Sequence, residues 1–161
     1  MEEQTFHALY AATAKPLWAY IARVSGRPDV ANDLLQETYC RFLSSQLANG
    51  ELAETKPYLF RIATNLLHDR WRNGEDTKWS EPPEIGFERD VDTQIDVRDL
   101  MQQLKPRERQ LLWLAYVEGM THSEIAKSTG LQSMSVRILL FRARRRAAEL
   151  LGRKERVVHE V

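Results

Sequence analysis

Apolar residues recur every three or four positions along most of this chain, which is the period of an amphipathic α-helix. The spacing predicts a first helix over about residues 5–24, a second that begins at Pro28 and a third that begins at Pro57. We expect Pro16 to kink or split the first helix, because proline lacks the backbone N–H that a helix interior needs. No segment alternates between apolar and polar residues as a half-buried strand does, so the chain up to Arg72 is predicted to form three helices.

The helical period fails after Arg72, where several glycines and prolines interrupt the chain, and it resumes near Ile95. Such an interruption is typical of a linker. The sequence therefore predicts an all-α protein of two small helical domains joined by a flexible linker. The domains cover residues 1–72 and 94–152, the linker covers 73–93, and a basic tail covers 153–161.

The second domain combines a short capped helix, a turn and a longer helix. Thr121 and Glu124 have the spacing of a capping box, in which each side chain binds the other's backbone N–H at a helix start. Gly130 suits the left-handed turn position that follows, and a long helix is predicted over about residues 133–151. This order predicts a helix-turn-helix domain, winged-helix-like and of three to four helices, whose second helix enters the major groove of DNA.

The net charge of zero conceals a strong asymmetry. The chain has 23 basic and 23 acidic residues, and that balance alone argues against a nucleic-acid partner. Residues 73–97, however, contain eight acidic and two basic residues, whereas residues 98–161 contain 13 basic and seven acidic ones. The acidic linker therefore offsets a basic C-terminal segment, and the distribution favours DNA as a partner. One hypothesis is that the linker or another acidic surface lies against the basic helix in the free protein and discourages DNA binding.

The long C-terminal helix offers the candidate surface for duplex DNA. Val136, Leu140, Ala143 and Ala147 share one face and are predicted to be its core side. The residues predicted to contact DNA are Gln132, Ser133, Met134, Ser135, Arg137, Ile138, Phe141, Arg142 and Arg145. Outward apolar Ile138 and Phe141 also allow a second interpretation, a protein interface that covers this helix when it is off DNA.

The third helix has a face that suits single-stranded DNA. Opposite the apolar face formed by Leu59, Ile62, Ala63 and Leu66 lie Arg61, Thr64, Asn65, His68, Trp71 and Arg72. Cations can follow the phosphates of an unpaired strand, and an aromatic ring can stack on a base. The simpler interpretation, an ordinary solvated face with Trp71 packed on the next element, is favoured when these residues are taken alone.

Other residues limit the remaining functions. The single cysteine, Cys40, excludes an internal disulfide and fits a reducing compartment, and it is expected to be buried. No run of about 18 apolar residues is present, so we expect a cytoplasmic protein. The four histidines have no metal-ligand spacing, and no phosphate-binding glycine loop or nucleophile motif occurs. The sequence therefore predicts no enzyme activity, no metal and no cofactor.

Several motifs resemble those of one known family. Residues Asp33 to Thr38 match D-L-x-Q-E-T, and Tyr58 to Arg70 match W/Y-L-x-R-I-A-x-N-x-x-x-D. Leu104 to Arg109, Gly119 to Ala126 and Ser135 to Arg144 match L-x-P-x-x-R, G-x-S/T-x-x-E-I-A and T-V-R-x-x-x-x-R-A-R. In this order, across a linker, they resemble the extracytoplasmic function (ECF) sigma factors, which are the smallest bacterial transcription initiation factors.

The resemblance implies a role for each segment. The polymerase-binding residues would be Asp33, Leu34, Gln36, Glu37 and Arg41, which contact the coiled coil of the largest subunit of core RNA polymerase. The residues that capture the melted −10 element would be Arg61, Asn65, His68, Trp71 and Arg72, and the helix-turn-helix would read the −35 element. An anti-sigma factor is a further implied partner. One departure concerns specificity, because Ile138 and Leu139 stand where the family commonly has Ser-Arg.

A stand-alone helix-turn-helix regulator is the alternative. Such a protein binds operator DNA as a dimer and without polymerase, and residues 1–72 would then sense a signal or dimerise. The segment Asp33 to Thr38 and the basic face of the third helix have no role in that alternative.

Overall fold

A computed structural model of the protein describes residues 2–45, 52–74 and 99–160, with side chains for 2–45, 54–74 and 99–152. The helices are α1 (Glu3–Ser25), α2 (Pro28–Leu43), α3 (Leu52–Arg72), a short α4 over 99–103, α5 (Pro106–Leu112), α6 (His122–Thr129) and α7 (Ser133–Glu160). These three ranges contain no strand, and the predicted all-α class is confirmed. Most of the acidic linker lies outside the described residues. The hypothesis that the linker covers the basic helix therefore also concerns residues outside the described ranges.

The first two helices form one antiparallel pair. Pro16 lies inside α1 and does not split it, so that part of the expectation is wrong. The proline leaves the carbonyl of Ala12 without its usual helical donor, but Ala12 lies on the exposed side, where water can bind. Gly26 ends α1 with a φ of 68°, and its N–H donates to the Ala22 carbonyl at 2.9 Å. Pro28 begins α2, as predicted.

The third helix begins earlier than its sequence pattern indicates. It starts at Leu52 rather than at Pro57, which lies inside it. The intervening Ala53, Glu54 and Lys56 are good helix formers, so a helical turn can form before the proline is reached. Its end at Arg72 is as predicted.

The helix-turn-helix is formed by α6, the turn at Gly130 and α7. The capping box is confirmed, because the Thr121 N–H donates to Glu124 Oε1 at 3.1 Å and the Glu124 N–H donates to Thr121 Oγ1 at 3.2 Å. Gly130 has a φ of 80°, the left-handed conformation that ends α6. The last helix begins at Ser133 and continues to Glu160, past the predicted end.

A π-helical turn, Trp113–Val117, continues α5 and was not predicted. The N–H of Glu118 donates to the carbonyl of Trp113, five residues earlier, at 3.1 Å, and this spacing is the mark of a π-helix. The turn brings Glu118 to the side of the helix-turn-helix domain that faces α3.

The two domains share one hydrophobic core. In the N-terminal domain, α1 to α3, its largest fully buried side chains include Leu17, Tyr20, Ile21, Phe42 and Phe60. In the helix-turn-helix domain, α4 to α7, Leu111, Leu114, Ile125, Val136 and Leu140 belong to the same cluster. The helices in contact across the boundary are α3 with α6 and α1 with α5. A smaller cluster joins Met101, Leu104 and Leu150.

Two burial expectations need correction. Cys40 is exposed, because it follows Gln36 and Glu37 at helical spacing and therefore shares their solvent face. Ala147 is only half-buried, whereas Ala143 one turn earlier is fully covered. Within the described ranges, no helix is both long and apolar enough to cross a membrane.

Candidate nucleic-acid and polymerase interfaces

The outer face of α2 is polar and accessible. Asp33, Gln36 and Glu37 are exposed, and Glu37 Oε1 accepts a hydrogen bond from Arg41 Nε at 3.0 Å. Leu34 is buried, so it supports this face from below and presents little surface to a partner. The four polar side chains lie at positions 33, 36, 37 and 41, which share one side of α2, so they form a continuous charged surface on a rigid helix.

The C-terminal half of the α3 face opens onto a shallow groove. The groove is lined by Arg41, Asn65, His68, Asp69, Trp71 and Arg72. The rings of His68 and Trp71 lie 5.2 Å apart at an angle of 42°, and Arg72 forms an ion pair with Asp69. A half-exposed aromatic flanked by two arginines and an amide can stack on an unpaired base and hold its phosphates. Arg41, predicted to bind polymerase, therefore also borders this groove.

The N-terminal half of the same α3 face is covered by the helix-turn-helix domain. Thr64 is fully buried, although its spacing predicts exposure. Its hydroxyl lies 2.7 Å from the Tyr20 hydroxyl, which accepts a hydrogen bond from Gln110 Nε2 at 2.9 Å. Burial raises the pKa of Tyr20 to about 12, so the phenol remains protonated and can donate. Thr64 thus contacts the other domain through Tyr20 instead of facing solvent.

Arg61 is also drawn into the contact between the domains. A Cβ built on Gly130 would overlap the Arg61 guanidinium, so this side chain lies directly on the glycine that ends α6. The C-terminal end of a helix carries partial negative charge, and a cation placed there is stabilised. A residue predicted to bind the −10 element is therefore occupied by a protein contact in this conformation.

His68 lies at the border between the covered and the open parts. Burial lowers the pKa of His68, and the nearby Arg107 of α5 lowers it further, whereas the Gln110 side chain acts in the opposite direction. Arg72 and Arg61 of α3 lower it as well. The folded protein therefore favours the neutral imidazole.

We expect this histidine to make the contact between the two domains sensitive to acid. Since the folded pKa is below the ordinary value of about 6.5, the folded state binds fewer protons than the unfolded state. The contribution of His68 to stability is full above that value, and it is lost as the pH falls below it and through the lower folded pKa. Denaturant unfolding at pH 8 and at pH 5.5 should show a larger loss of stability for the wild type than for His68→Gln. Equal losses for the two proteins would contradict the assignment.

The outward face of α7 is accessible along its whole described length. Gln132, Ser133, Arg137, Arg142 and Arg145 are exposed, and Ser135 is half-buried. Met134, Ile138 and Phe141 are 68%, 49% and 57% exposed, and they form an apolar stripe between the arginines. The guanidinium of Arg145 lies 5.9 Å from the centre of the Phe141 ring. The predicted duplex-binding residues are thus brought together on one surface. Val136 and Leu140, on the opposite face of α7, are buried in the core.

The sequence pattern did not single out four residues that join the domains, Tyr20, Lys56, Gln110 and Glu118. Lys56 Nζ lies 3.1 Å from Glu118 Oε2. The burial of Gln110 has a weak indication in the sequence, because this polar residue precedes the apolar Leu111 and Leu112 in a short helix. Within the described ranges, no group of three or more His, Cys, Asp or Glu side chains could hold a metal ion.

A helix-turn-helix domain packed against a helical domain with a basic aromatic groove defines a two-domain nucleic-acid-binding protein. Comparison with known proteins gives the family. Residues 9–77 match the family model of sigma-70 region 2, and residues 94–146 match that of sigma-70 region 4. The chain belongs to the ECF group of RNA polymerase sigma factors.

Individual relatives are distant but cover most of the chain. The ECF RNA polymerase sigma factor SigL of Mycobacterium tuberculosis is 28% identical over 146 residues, 84% of this chain and 82% of the relative. The RNA polymerase sigma factor CarQ of Myxococcus xanthus is 28% identical over 164 residues, 95% of this chain and 92% of the relative. The fold is similar to that of the sigma factor RpoE, solved in complex with the anti-sigma factor NepR from Bartonella quintana. Its TM-score is 0.74 at 23% identity, over 92% of this chain and 98% of that chain.

Proposed function

We propose that this protein is a transcription initiation factor that binds core RNA polymerase in the cytoplasm and directs it to specific promoters. The exposed polar face of α2 binds the polymerase through Asp33, Gln36, Glu37 and Arg41, with Leu34 supporting it. The α3 face holds the melted −10 element, and α7 reads the −35 element as a duplex. The two domains promote melting by binding energy, without covalent chemistry, and so the protein is not an enzyme.

The observation that carries this proposal is the presence on one chain of two different surfaces that suit DNA. The groove beside Trp71 has a stackable ring and cations, which suits unpaired bases. The surface of α7 has exposed arginines at helical spacing on the second helix of a helix-turn-helix, which suits a major groove. A stand-alone operator-binding protein needs only the second surface. A promoter-melting factor needs both.

Reconstitution with core polymerase tests the proposal. The purified chain is added to bacterial core RNA polymerase and a pool of genomic promoter fragments, and the transcripts are sequenced. We expect transcripts that start at a defined set of promoters only when the chain is present. The proposal is wrong if the transcripts are the same with and without the chain and no complex with core forms. A footprint on naked duplex DNA as a dimer, without polymerase, would favour the stand-alone regulator instead.

A pair of substitutions separates the polymerase surface from the DNA surface. We expect Glu37→Lys to weaken binding to core polymerase by about tenfold or more, because it reverses a charge at the centre of the α2 face. Arg137→Ala should leave core affinity unchanged and reduce promoter binding by the holoenzyme. Both positions are exposed, so both variants should unfold within about 0.5 kcal/mol of the wild type. Core affinity is measured by co-purification of each unlabelled variant with tagged core polymerase over a range of concentrations. The roles are misassigned if the two variants have the same core affinity.

We also propose that an anti-sigma factor binds the outward face of α7 when the protein is off DNA. The stripe of Met134, Ile138 and Phe141 is apolar and lies between arginines. An amphipathic helix with acidic flanks would cover both kinds of side chain.

A further inference from the structure

Two apolar side chains are exposed in the first two turns of α7, Met134 and Ile138. Met134 is 68% exposed and Ile138 is 49% exposed. The two residues are one helical turn apart, so they share one side of α7 and lie about 6 Å from each other along its axis. With Phe141, at 57%, they form the apolar stripe described above. A contiguous apolar patch in contact with water marks a binding surface.

The neighbours of this pair favour DNA as the partner that binds it. Ser133, at the start of α7, is exposed, and Arg137 and Arg142 are exposed on either side of Ile138. Arginines can hold phosphates, and a hydroxyl can bind a phosphate or a base edge. The second helix of a helix-turn-helix places its N-terminal residues against the base edges of a major groove. Met134 and Ile138 belong to that N-terminal part, so we expect both to meet bases.

The departure from the Ser-Arg of the family changes the outward face of α7 at a single position. Leu139 is half-buried and packs against the hydrophobic core. Of the two replaced residues, Ile138 is therefore the one that faces outward. A serine at this position can donate or accept a hydrogen bond, whereas isoleucine can do neither. The base beside Ile138 is therefore recognised by its apolar surface.

Thymine is the base that offers an apolar group in the major groove. Its C5-methyl group lies at the groove edge, whereas cytosine presents an amino donor there and both purines present the N7 acceptor. An apolar side chain packed against such a polar group removes its water and supplies no hydrogen bond in exchange, which is costly. An apolar residue in the groove therefore favours thymine and disfavours the other bases.

We propose that Met134 and Ile138 make this protein select −35 elements that contain thymines, by packing against their C5-methyl groups. The proposal rests on the duplex-reading function proposed for α7 above. Because the two side chains lie about 6 Å apart along the helix and successive base pairs are about 3.4 Å apart, they span about three consecutive base pairs. The −35 element therefore contains two thymines, on either strand, within that span.

Removal of single methyl groups from the DNA tests the proposal. A promoter obtained in the reconstitution above is synthesised with each thymine of its −35 element replaced in turn by uracil, which lacks the methyl group and keeps every hydrogen-bonding group. Competition with the unmodified promoter measures binding by the holoenzyme. We expect about fourfold weaker binding at each of two thymines, because burial of one such group contributes about 0.8 kcal/mol and about 1.4 kcal/mol corresponds to tenfold.

Variants of the two side chains assign each methyl group to one residue. Ile138→Ser should abolish the effect of uracil at one of the two thymines and keep it at the other, and Met134→Ser should do the reverse. Leu151→Ala is the matched control, because Leu151 is a 40% exposed apolar residue of α7 about 20 Å beyond Ile138. It should keep both effects. Each readout compares two promoters bound by the same protein, so a general loss of affinity or of folded protein does not change it.

Several outcomes would contradict the proposal. It is wrong if the −35 elements of the transcribed promoters lack such a pair of thymines, or if uracil is bound as well as thymine at every position. It is also wrong if Ile138→Ser and Met134→Ser both keep the wild-type effects of uracil, since other residues then contact the methyl groups. In all these cases promoter-specific transcription by the wild type still stands. Absence of promoter-specific transcripts from the reconstitution contradicts the proposed function itself, and this proposal with it.

Discussion

Phe60→Ala is expected to lower the free energy of unfolding by about 3–5 kcal/mol, the cost of removing a large aromatic side chain from a packed core. The side chain of Phe60 is fully buried on α3, and its ring centre lies 5.1 Å from that of Tyr20. Tyr20 in turn binds Gln110 of the other domain. The cavity left by Phe60→Ala would therefore allow the Tyr20 ring to move, and the hydrogen bond between the domains depends on the position of that ring.

A second phenylalanine provides the control for this prediction. Phe141 is 57% exposed on α7, so Phe141→Ala should change the free energy of unfolding by no more than about 0.5 kcal/mol. Urea unfolding followed by tryptophan fluorescence and by circular dichroism measures both variants. If Phe60→Ala costs less than about 1 kcal/mol, the shared core does not contribute to stability as its burial implies. Separate transitions by the two probes in the wild type would show that the domains unfold independently.

The features predicted correctly from the sequence are those fixed within one or two helical turns. Pro28 can begin α2 because its missing N–H is not needed at a helix start. Thr121 and Glu124 satisfy each other's backbone donors, and Gly130 adopts the left-handed turn without a Cβ penalty. The exposed arginines of α7 follow from helical spacing once Val136 and Leu140 are placed in the core. None of these depends on how the two domains meet.

The features that were missed depend on contacts between residues far apart in the chain. Thr64 has a spacing that indicates solvent or DNA, and only the packing of α1 and α6 on α3 makes it buried. Gln110 and Tyr20 are 90 positions apart, and neither sequence neighbourhood indicates their hydrogen bond. The start of α3 was missed for a local reason, because Pro57 suits the first position of a helix, whereas the structure places it inside α3. The sequence therefore predicts the candidate residues of the α3 face one by one. It does not predict that the helix-turn-helix domain covers one half of this face and leaves the other half open.

Removal of three arginines from α7 should have the largest effect on DNA binding. In the triple variant Arg137→Ala, Arg142→Ala and Arg145→Ala, each lost phosphate contact makes the slope of log affinity against log salt concentration about 0.9 units shallower. If all three contact phosphates, the slope changes by about 2.7. With equal affinities of the variant and the wild type at 1 M salt, the variant then binds duplex DNA about a hundredfold more weakly than the wild type at 0.2 M salt. Alanine is the best helix former, so α7 should remain intact. Because this term is independent of sequence, any duplex serves for the titration.

Replacement of the same three residues by lysine separates charge from guanidinium geometry. Lysine keeps the cation but cannot make the bidentate contacts of arginine, so the lysine variant should retain the salt slope while its preference for the −35 element falls. The −35 preference is measured in the holoenzyme, by competition between a promoter identified in the reconstitution and the same promoter with that element scrambled. If the alanine variant binds duplex DNA with the wild-type affinity and salt slope, α7 is not the helix that enters the groove. In that case its exposed arginines and apolar stripe would serve a protein partner alone.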